Sequence, residues 1–282
     1  MSLHPPAPEE LGELVEAYAQ TVRSVIDLAL TLRPGDAERP TDCPGWTVAD
    51  QVAHVAGGEA MAAGEEDPDV DVSGFAHVKH AFGARHEKAV QLRRGRPLDE
   101  VVEELEERLE ERLACYGAED ATAQTPVDGP LGTTTLGDFL ALRTFDIWVH
   151  EQDIREAIGR PGGLDTPAAA LSVSRVFAAV PRVVARDAQV PPGHAVVLDL
   201  TGPTVGRVGA RVEEQDGRRV GIPLFAGGQE EHPDVVTTSL TMSTRVAMRL
   251  AAGRGDRADL HVVVHGDEEI AQRVIQALAM TP

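Results

Sequence analysis

Apolar positions in the first half of the chain recur at helical spacing. In PEELGELVEAYAQTVRSVIDLALTLRP (8–34) they fall at Leu11, Leu14, Val15, Tyr18, Val22, Val25, Ile26 and Ala29, the i, i+3, i+4, i+7 stripe of an amphipathic helix. Leu28, Leu30 and Leu32 widen that face, and Pro34-Gly35 ends it. A second helix is predicted from Thr47. There Thr47 and Asp50 have the spacing of a capping box, and Val48, Val52 and Val55 mark the buried face. The acidic, turn-rich EEDPDVDVSG reads as a loop. Helical spacing resumes from 74 to about 94 through Phe75, Val78, Phe82, Ala89 and Leu92. It returns in LDEVVEELEERLEERLACYG, with Leu98, Val101, Val102, Leu105, Leu109 and Leu113 on one face. The acids of that helix read as a solvated face carrying i,i+4 Glu–Arg pairs. Thr125 to Thr134 reads as a loop. A last helix starts near Thr135 and stops at Gly159, Pro161 and Gly162-Gly163.

Beyond this point the period changes. The stretch 166–190 is helical, but HAVVLDLTG, TVGRVGARVEE, RRVGIPLF and DVVTTSLTM read as strands, with Asp216-Gly217 as a hairpin turn. Ser243 to Gly253 reads as a helix, DLHVVVHG as a strand and DEEIAQRVIQALAM as a closing helix. The pattern therefore predicts a helical bundle over 1–162 followed by a smaller α+β domain over 163–282.

Composition narrows the partners. The formal charge is 26 − 46 = −20, a surface that repels phosphate backbones and anionic membranes, so neither nucleic acid nor membrane is an expected partner. No uninterrupted run of about 18 apolar residues suggests a span. MSLHPPAPEE has neither a basic nor an apolar signal region, so a cytoplasmic protein is expected. Cys43 and Cys115 lie far apart and suggest no disulfide framework; each reads as a small core or surface residue. The motifs G-x-G-x-x-G, P-loop, G-x-S-x-G and H-E-x-x-H are all absent.

The segment RTFDIWVHEQDIR (143–155) runs through the most apolar part of the chain yet carries Asp146, His150 and Asp153 on one side. Buried acids and imidazoles are costly unless paired or ligated. Residues four apart share a helix face, so Asp146 and His150 converge, and His54 on a facing helix completes a candidate three-ligand metal site. Two imidazoles, a carboxylate and an open fourth position are the donor set of a catalytic zinc. From spacing alone, satisfied polar side chains fit equally well. Asp153 reads either as a carboxylate orienting His150 or as half of an exposed ion pair. Glu151 reads as solvent-facing, Trp46 and Trp148 as core anchors, His77 and His80 as surface residues, and His261 and His265 as structural.

TDCPGWTVADQVAHVAGGE, followed about ninety residues later by LRTFDIWVHEQDIREAIGRPGG, resembles the mycothiol-dependent maleylpyruvate isomerase family, a branch of the DinB-like four-helix metalloproteins. The likeness extends through TSLTMSTRVAMRLAAGRGD and VVVHGDEEIAQRVIQALAMTP. It implies a DinB-like bundle with a divalent metal, usually zinc, on His54, Asp146 and His150. This chain has Asp146 where the family has Glu, one methylene shorter. The family's C-terminal domain approaches the bundle near Arg254. Arg254 is thus the candidate for meeting a substrate carboxylate, and a plain surface arginine is the other reading.

The function the resemblance implies is a metal-dependent enzyme that activates mycothiol as thiol cosubstrate, for isomerisation of, or S-transfer to, a small electrophile. Two other classes stay open: a non-catalytic binder of small ligands, and a metal-dependent hydrolase with Asp153 as its base. Either a monomer or a homodimer is compatible with the sequence.

Overall fold

The computed structural model describes residues 4–129, 132–225, 235–255 and 260–280. The chain divides into two compact units, Pro8–Gly163 and a second one from Leu164 onward that includes the segment ahead of Pro8.

The first unit is helical: α1 (Leu11–Leu30), α2 (Val48–Ala62), α3 (Ala81–Arg93), α4 (Leu98–Tyr116) and α5 (Leu136–Ile158). Helices α1, α2, α4 and α5 form the bundle; α1 packs on α5 and α4, while α2 packs on α4, α5 and α3. Leu14, Tyr18, Val22, Val25 and Ile26 of α1 are buried, as the stripe predicts, but Leu30 is 62% exposed. Its position falls off the buried arc in the last turn. The capping box forms, with the Asp50 carboxylate accepting from Thr47 N–H and Thr47 Oγ1 from Asp50 N–H. Helix α5 starts on Thr135 and ends on Gly159 in the left-handed conformation (φ 66°).

Three expectations are corrected in this unit. Helix α3 begins at Ala81, not 74, because the His80 side chain accepts from Gly83 N–H and caps it there. The stretch 125–134 is not plain loop: β1 (Pro126–Gly129) pairs antiparallel with β2 (Gly132–Thr135). The ion pairs of α4 reach outward to neighbouring segments. Glu104 binds Arg93 and Arg96, and Arg108 binds Glu65 as well as Glu111 at i+3.

Among the described residues the second unit holds β3 (His194–Thr201), β4 (Val205–Gln215), β5 (Arg218–Leu224), β6 (Val236–Met242) and β7 (Val263–His265) in one sheet of order β5-β4-β3-β6-β7, with β3 parallel to β6 and the other pairs antiparallel. Strands β4 and β5 join through Asp216 (φ 51°) and Gly217 (φ 70°), the paired positive angles of a tight hairpin turn. Strand β7 is short, leaving His261 ahead of it; His261 and His265 are both exposed. Helix α6 (Pro167–Arg182), with the π-helical turn Val183–Asp187 that follows its internal Pro181, packs on β4 and β5. It does so where two side chains are missing. A Cβ on Gly206 would lie 2.7 Å from the Phe177 ring, and one on Gly221 would strike the Pro181 carbonyl. Helices α7 (Thr244–Ala251) and α8 (Glu268–Ala277) pack on β3 and on β6 and β7 respectively.

The stretch Pro167–Asp187 is long and apolar enough in mean hydropathy to cross a bilayer, although charged residues interrupt it. Its apolar window is 61% buried, against β4 and β5 among others, as in a core helix.

Candidate metal centre

The site lies between α2 and α5. On α2, Gln51, His54 and Gly58 follow helical spacing; on α5, Arg143, Asp146 and His150 do the same. The helices run antiparallel there, so Gln51 meets His150 and Glu59 meets Arg143. One nitrogen each of His54 and His150 and one carboxylate oxygen of Asp146 lie within 4.8 Å of one another. His54 Nε2 is 3.3 Å from Asp146 Oδ2, and His150 Nε2 is 3.6 Å from Asp146 Oδ1. Both imidazoles are buried, whereas the Asp146 side chain keeps 31% exposure. The cluster is therefore reachable from its carboxylate side.

The tautomer of His150 follows from a chain of hydrogen bonds. Thr41 Oγ1 donates to the Trp46 carbonyl at 2.9 Å and so accepts from Gln51 Nε2 at 2.7 Å. The Gln51 amide oxygen then faces His150 Nδ1 at 2.5 Å, which must carry the proton. That leaves the Nε2 lone pair turned towards Asp146, the state a metal ligand needs. In His54 it is Nε2 that faces Asp146, while Nδ1 is buried without a hydrogen-bond partner among the described residues. Donor types, convergence and tautomer all fit a divalent cation.

Asp146 is held from a second side. Arg143 donates to its Oδ2 at 2.7 Å and to the fully buried Glu59 at 2.6 Å, and Tyr18 donates to the other Glu59 oxygen at 2.6 Å. Arg143 fits because Gly58 has no side chain; a Cβ there would come 2.6 Å from Nη2. Burial alone would raise the Asp146 carboxyl, but the neighbouring imidazoles and the Arg143 guanidinium outweigh it and hold it well below the usual range. Burial, with His150 beside it, lowers His54 to about 4, so its imidazole is neutral at physiological pH. Burial and the charge of Glu59 push the Tyr18 hydroxyl far up, keeping it a donor.

Neighbouring residues refine the reading of the sequence. Trp46 is a core residue, as expected, but its ring also lies 4.9 Å from that of His54 and 5.6 Å from that of His150. Its Nε1 donates to Glu87, which also takes His77 Nε2 at 2.8 Å, so His77 is a half-buried partner in that network instead of a free surface residue. Trp148 is buried and donates to the Gly163 carbonyl. Glu151 is not solvent-facing: it is 3% exposed, bound by Ser24 and Arg155 at 2.7 Å each, because α5 is buried on nearly every face. Asp153 is fully buried, with Oδ2 3.7 Å from His150 Nδ1. It lies on the side of the ring away from Asp146, which rules out the exposed ion pair and removes the base that the hydrolase reading named. Cys43, half-buried, forms a second convergent group with His150 and Asp153, but there His150 Nδ1 is already committed to Gln51. Cys115 is exposed.

Gln51, Glu59, Arg143 and Tyr18 were not singled out from the sequence, nor was His86 on α3. The ring of His86 lies 5.0 Å from that of His54, and burial lowers it to about 3. Arg254 belongs to the second unit, is 8% exposed and donates to the Ala252 carbonyl at 3.0 Å.

Residues 18–155 match the profile of the mycothiol maleylpyruvate isomerase N-terminal domain. No curated protein sequence matches the chain. Two solved structures do. One is a crystal structure of the mycothiol-dependent maleylpyruvate isomerase (TM-score 0.53, 18% identity, covering 91% of this chain and 94% of that one). The other is a histidine-to-alanine variant of that enzyme (TM-score 0.54, 16% identity, covering 89% and 92%). At these identities the likeness is one of fold.

Proposed function

We propose, from the match of residues 18–155 to the mycothiol maleylpyruvate isomerase N-terminal domain, that the chain is an enzyme using a low-molecular-weight thiol, mycothiol, on a small electrophilic substrate. In this reading His54, Asp146 and His150 hold a divalent metal, zinc by donor set. The observation that carries it is the convergence of these three groups within 4.8 Å while Gln51 commits His150 Nδ1 as a donor. Zinc on these ligands supplies the positive charge that keeps an incoming thiol deprotonated at neutral pH.

The chain's own residues do the rest. Gln51 fixes the ring of His150. Arg143 holds one oxygen of Asp146 and, through Glu59, is itself held rigid. Trp46 walls the imidazoles from one side. A thiolate that adds to an activated double bond, allows rotation about the new single bond and leaves again isomerises the substrate. If it stays attached, the outcome is S-transfer. We assign Arg254 to a substrate carboxylate, as a buried, permanently charged donor. The protein is expected to work in the cytoplasm without nucleic acid or membrane, as monomer or homodimer.

The test is metal content by mass spectrometry on wild type, His54→Ala and His150→Ala, each purified without chelators, followed by assay with mycothiol and maleylpyruvate. Near-stoichiometric zinc in wild type, lost in both variants, is expected. Wild type that takes up no metal after zinc is added back overturns the reading.

A further inference from the structure

Among the described residues, His86 is the imidazole beside the candidate ligands that belongs to neither α2 nor α5. It comes from α3, where Phe82, one turn earlier, packs edge-on against it with ring centroids 4.5 Å apart at 67°. Its ring also lies 5.0 Å from that of His54. The ring thus packs against two aromatic neighbours. Its Nδ1 is buried and has no hydrogen-bond partner among the described residues, and His86 is not one of the convergent ligand groups. A buried ring nitrogen left without a partner costs free energy, and such groups are retained where a ligand or water supplies the bond. An idle nitrogen on a ring adjoining His54, whose Nε2 faces a carboxylate that opens to solvent, marks a place built for something the chain does not itself provide.

We infer that His86 is a ligand-binding residue of the site, offering Nδ1–H to the thiol group that occupies the open position beside His54, Asp146 and His150. The inference rests on the reading above, since it takes the occupant to be a thiol. It adds a contact from a third helix, so the pocket for the thiol is formed by α3 as well as by α2 and α5. The contact is directional, because Phe82 and His54 confine the ring.

The position of the idle nitrogen gives the test. An asparagine amide can overlay a histidine Nδ1, whereas a glutamine amide falls where Nε2 was. Cobalt-substituted wild type, His86→Asn, His86→Gln and His86→Leu are titrated with N-acetylcysteine as the thiol probe, following the sulfur-to-cobalt charge-transfer absorption. Cobalt stoichiometry and thermal unfolding are recorded for each. The expected result is full cobalt loading in all four, thiol affinity at least about tenfold weaker in His86→Gln and His86→Leu, and recovery in His86→Asn. Equal thiol affinity in all four overturns the role of His86 and leaves the metal–thiol reading standing; the idle nitrogen then holds a water only. A weakening in all three variants that tracks lost thermal stability makes His86 a packing residue and overturns the inference as well. Wild type that binds cobalt but shows no sulfur band overturns the thiol reading, and this inference with it.

Discussion

The amide oxygen of Gln51 lies 2.5 Å from Nδ1 of His150, on the side of the ring opposite Asp146. The Thr41 hydroxyl sets which way that amide points. A loop residue thus determines, through one glutamine, which imidazole nitrogen is free to ligate. Outer hydrogen bonds of this kind typically control metal affinity by 10–100-fold. Gln51→Leu is expected to weaken zinc binding by about that factor in a competitive chelator titration, and to cost the apo protein about 1–3 kcal/mol, since the buried His150 Nδ1–H is left without its acceptor. Wild-type affinity in this variant would remove Gln51 from the site.

Gly58 and Gly12 give opposite responses to the same change. Both are helical, but a Cβ on Gly58 meets the buried guanidinium of Arg143 at 2.6 Å, while one on Gly12 meets nothing within 4 Å. Gly12→Ala is expected to stabilise by about 0.5 kcal/mol from helix propensity. Gly58→Ala should destabilise by roughly 1–3 kcal/mol despite the same propensity gain. Urea unfolding of the two variants decides; a stabilised Gly58→Ala contradicts the close approach.

Tyr18→Phe deletes the donor to Glu59 in a place water does not reach. The cost expected is about 1–3 kcal/mol, the penalty for leaving a buried acceptor short of a partner. Tyr116, whose ring packs edge-on to Tyr18 at 5.7 Å, has its hydroxyl beside the Arg112 guanidinium but makes no well-formed hydrogen bond among the described residues. Tyr116→Phe should therefore cost less than Tyr18→Phe in the same denaturation series.

Glu104 supplies the acid side of the stability profile. Burial raises its carboxyl, but hydrogen bonds and charge from Arg93 and Arg96 outweigh that and hold it below its ordinary value. A carboxyl lowered in the folded state adds stability above its unfolded pKa of about 4.3 and loses it as pH falls through the folded one. Glu104→Gln is expected to be about 1–3 kcal/mol less stable than wild type at pH 7, since Arg93 is left buried without its partner. The gap should close below about pH 4. A gap independent of pH would assign the loss to packing.

The elements were legible wherever one face met the core and the caps were local. Thr47 with Asp50 and Thr135 with Gly159 fixed helix ends through bonds spanning only a few residues, so the chain spelled them out. The convergence of His54, Asp146 and His150 was legible too, for the last two from i,i+4 spacing and for the first through the paired motifs. What surrounds them was not, because it depends on how α2 and α5 register. Arg143 and Gln51 each stand three residues before a candidate ligand on the same face, and a search for polar residues at that offset would have raised both. His86 gave no such signal, as nothing in the amphipathic pattern of α3 sets it apart from a solvent-facing histidine. Glu151 was misread for the converse reason: a helix enclosed on most sides has no face left for solvent.

Gly206 and Gly221 set how close α6 sits to the sheet of the second unit, and they do so by what they lack. In a library of random variants these two positions should rank among the least tolerant in the protein, although neither has a side chain to lose. Pro181 and Phe177 are their counterparts. In a diverging lineage, larger residues at the strand positions become acceptable only after the helix has retreated or those two counterparts have shrunk. The sheet would then record its history as paired substitutions, readable across relatives even where overall identity has decayed.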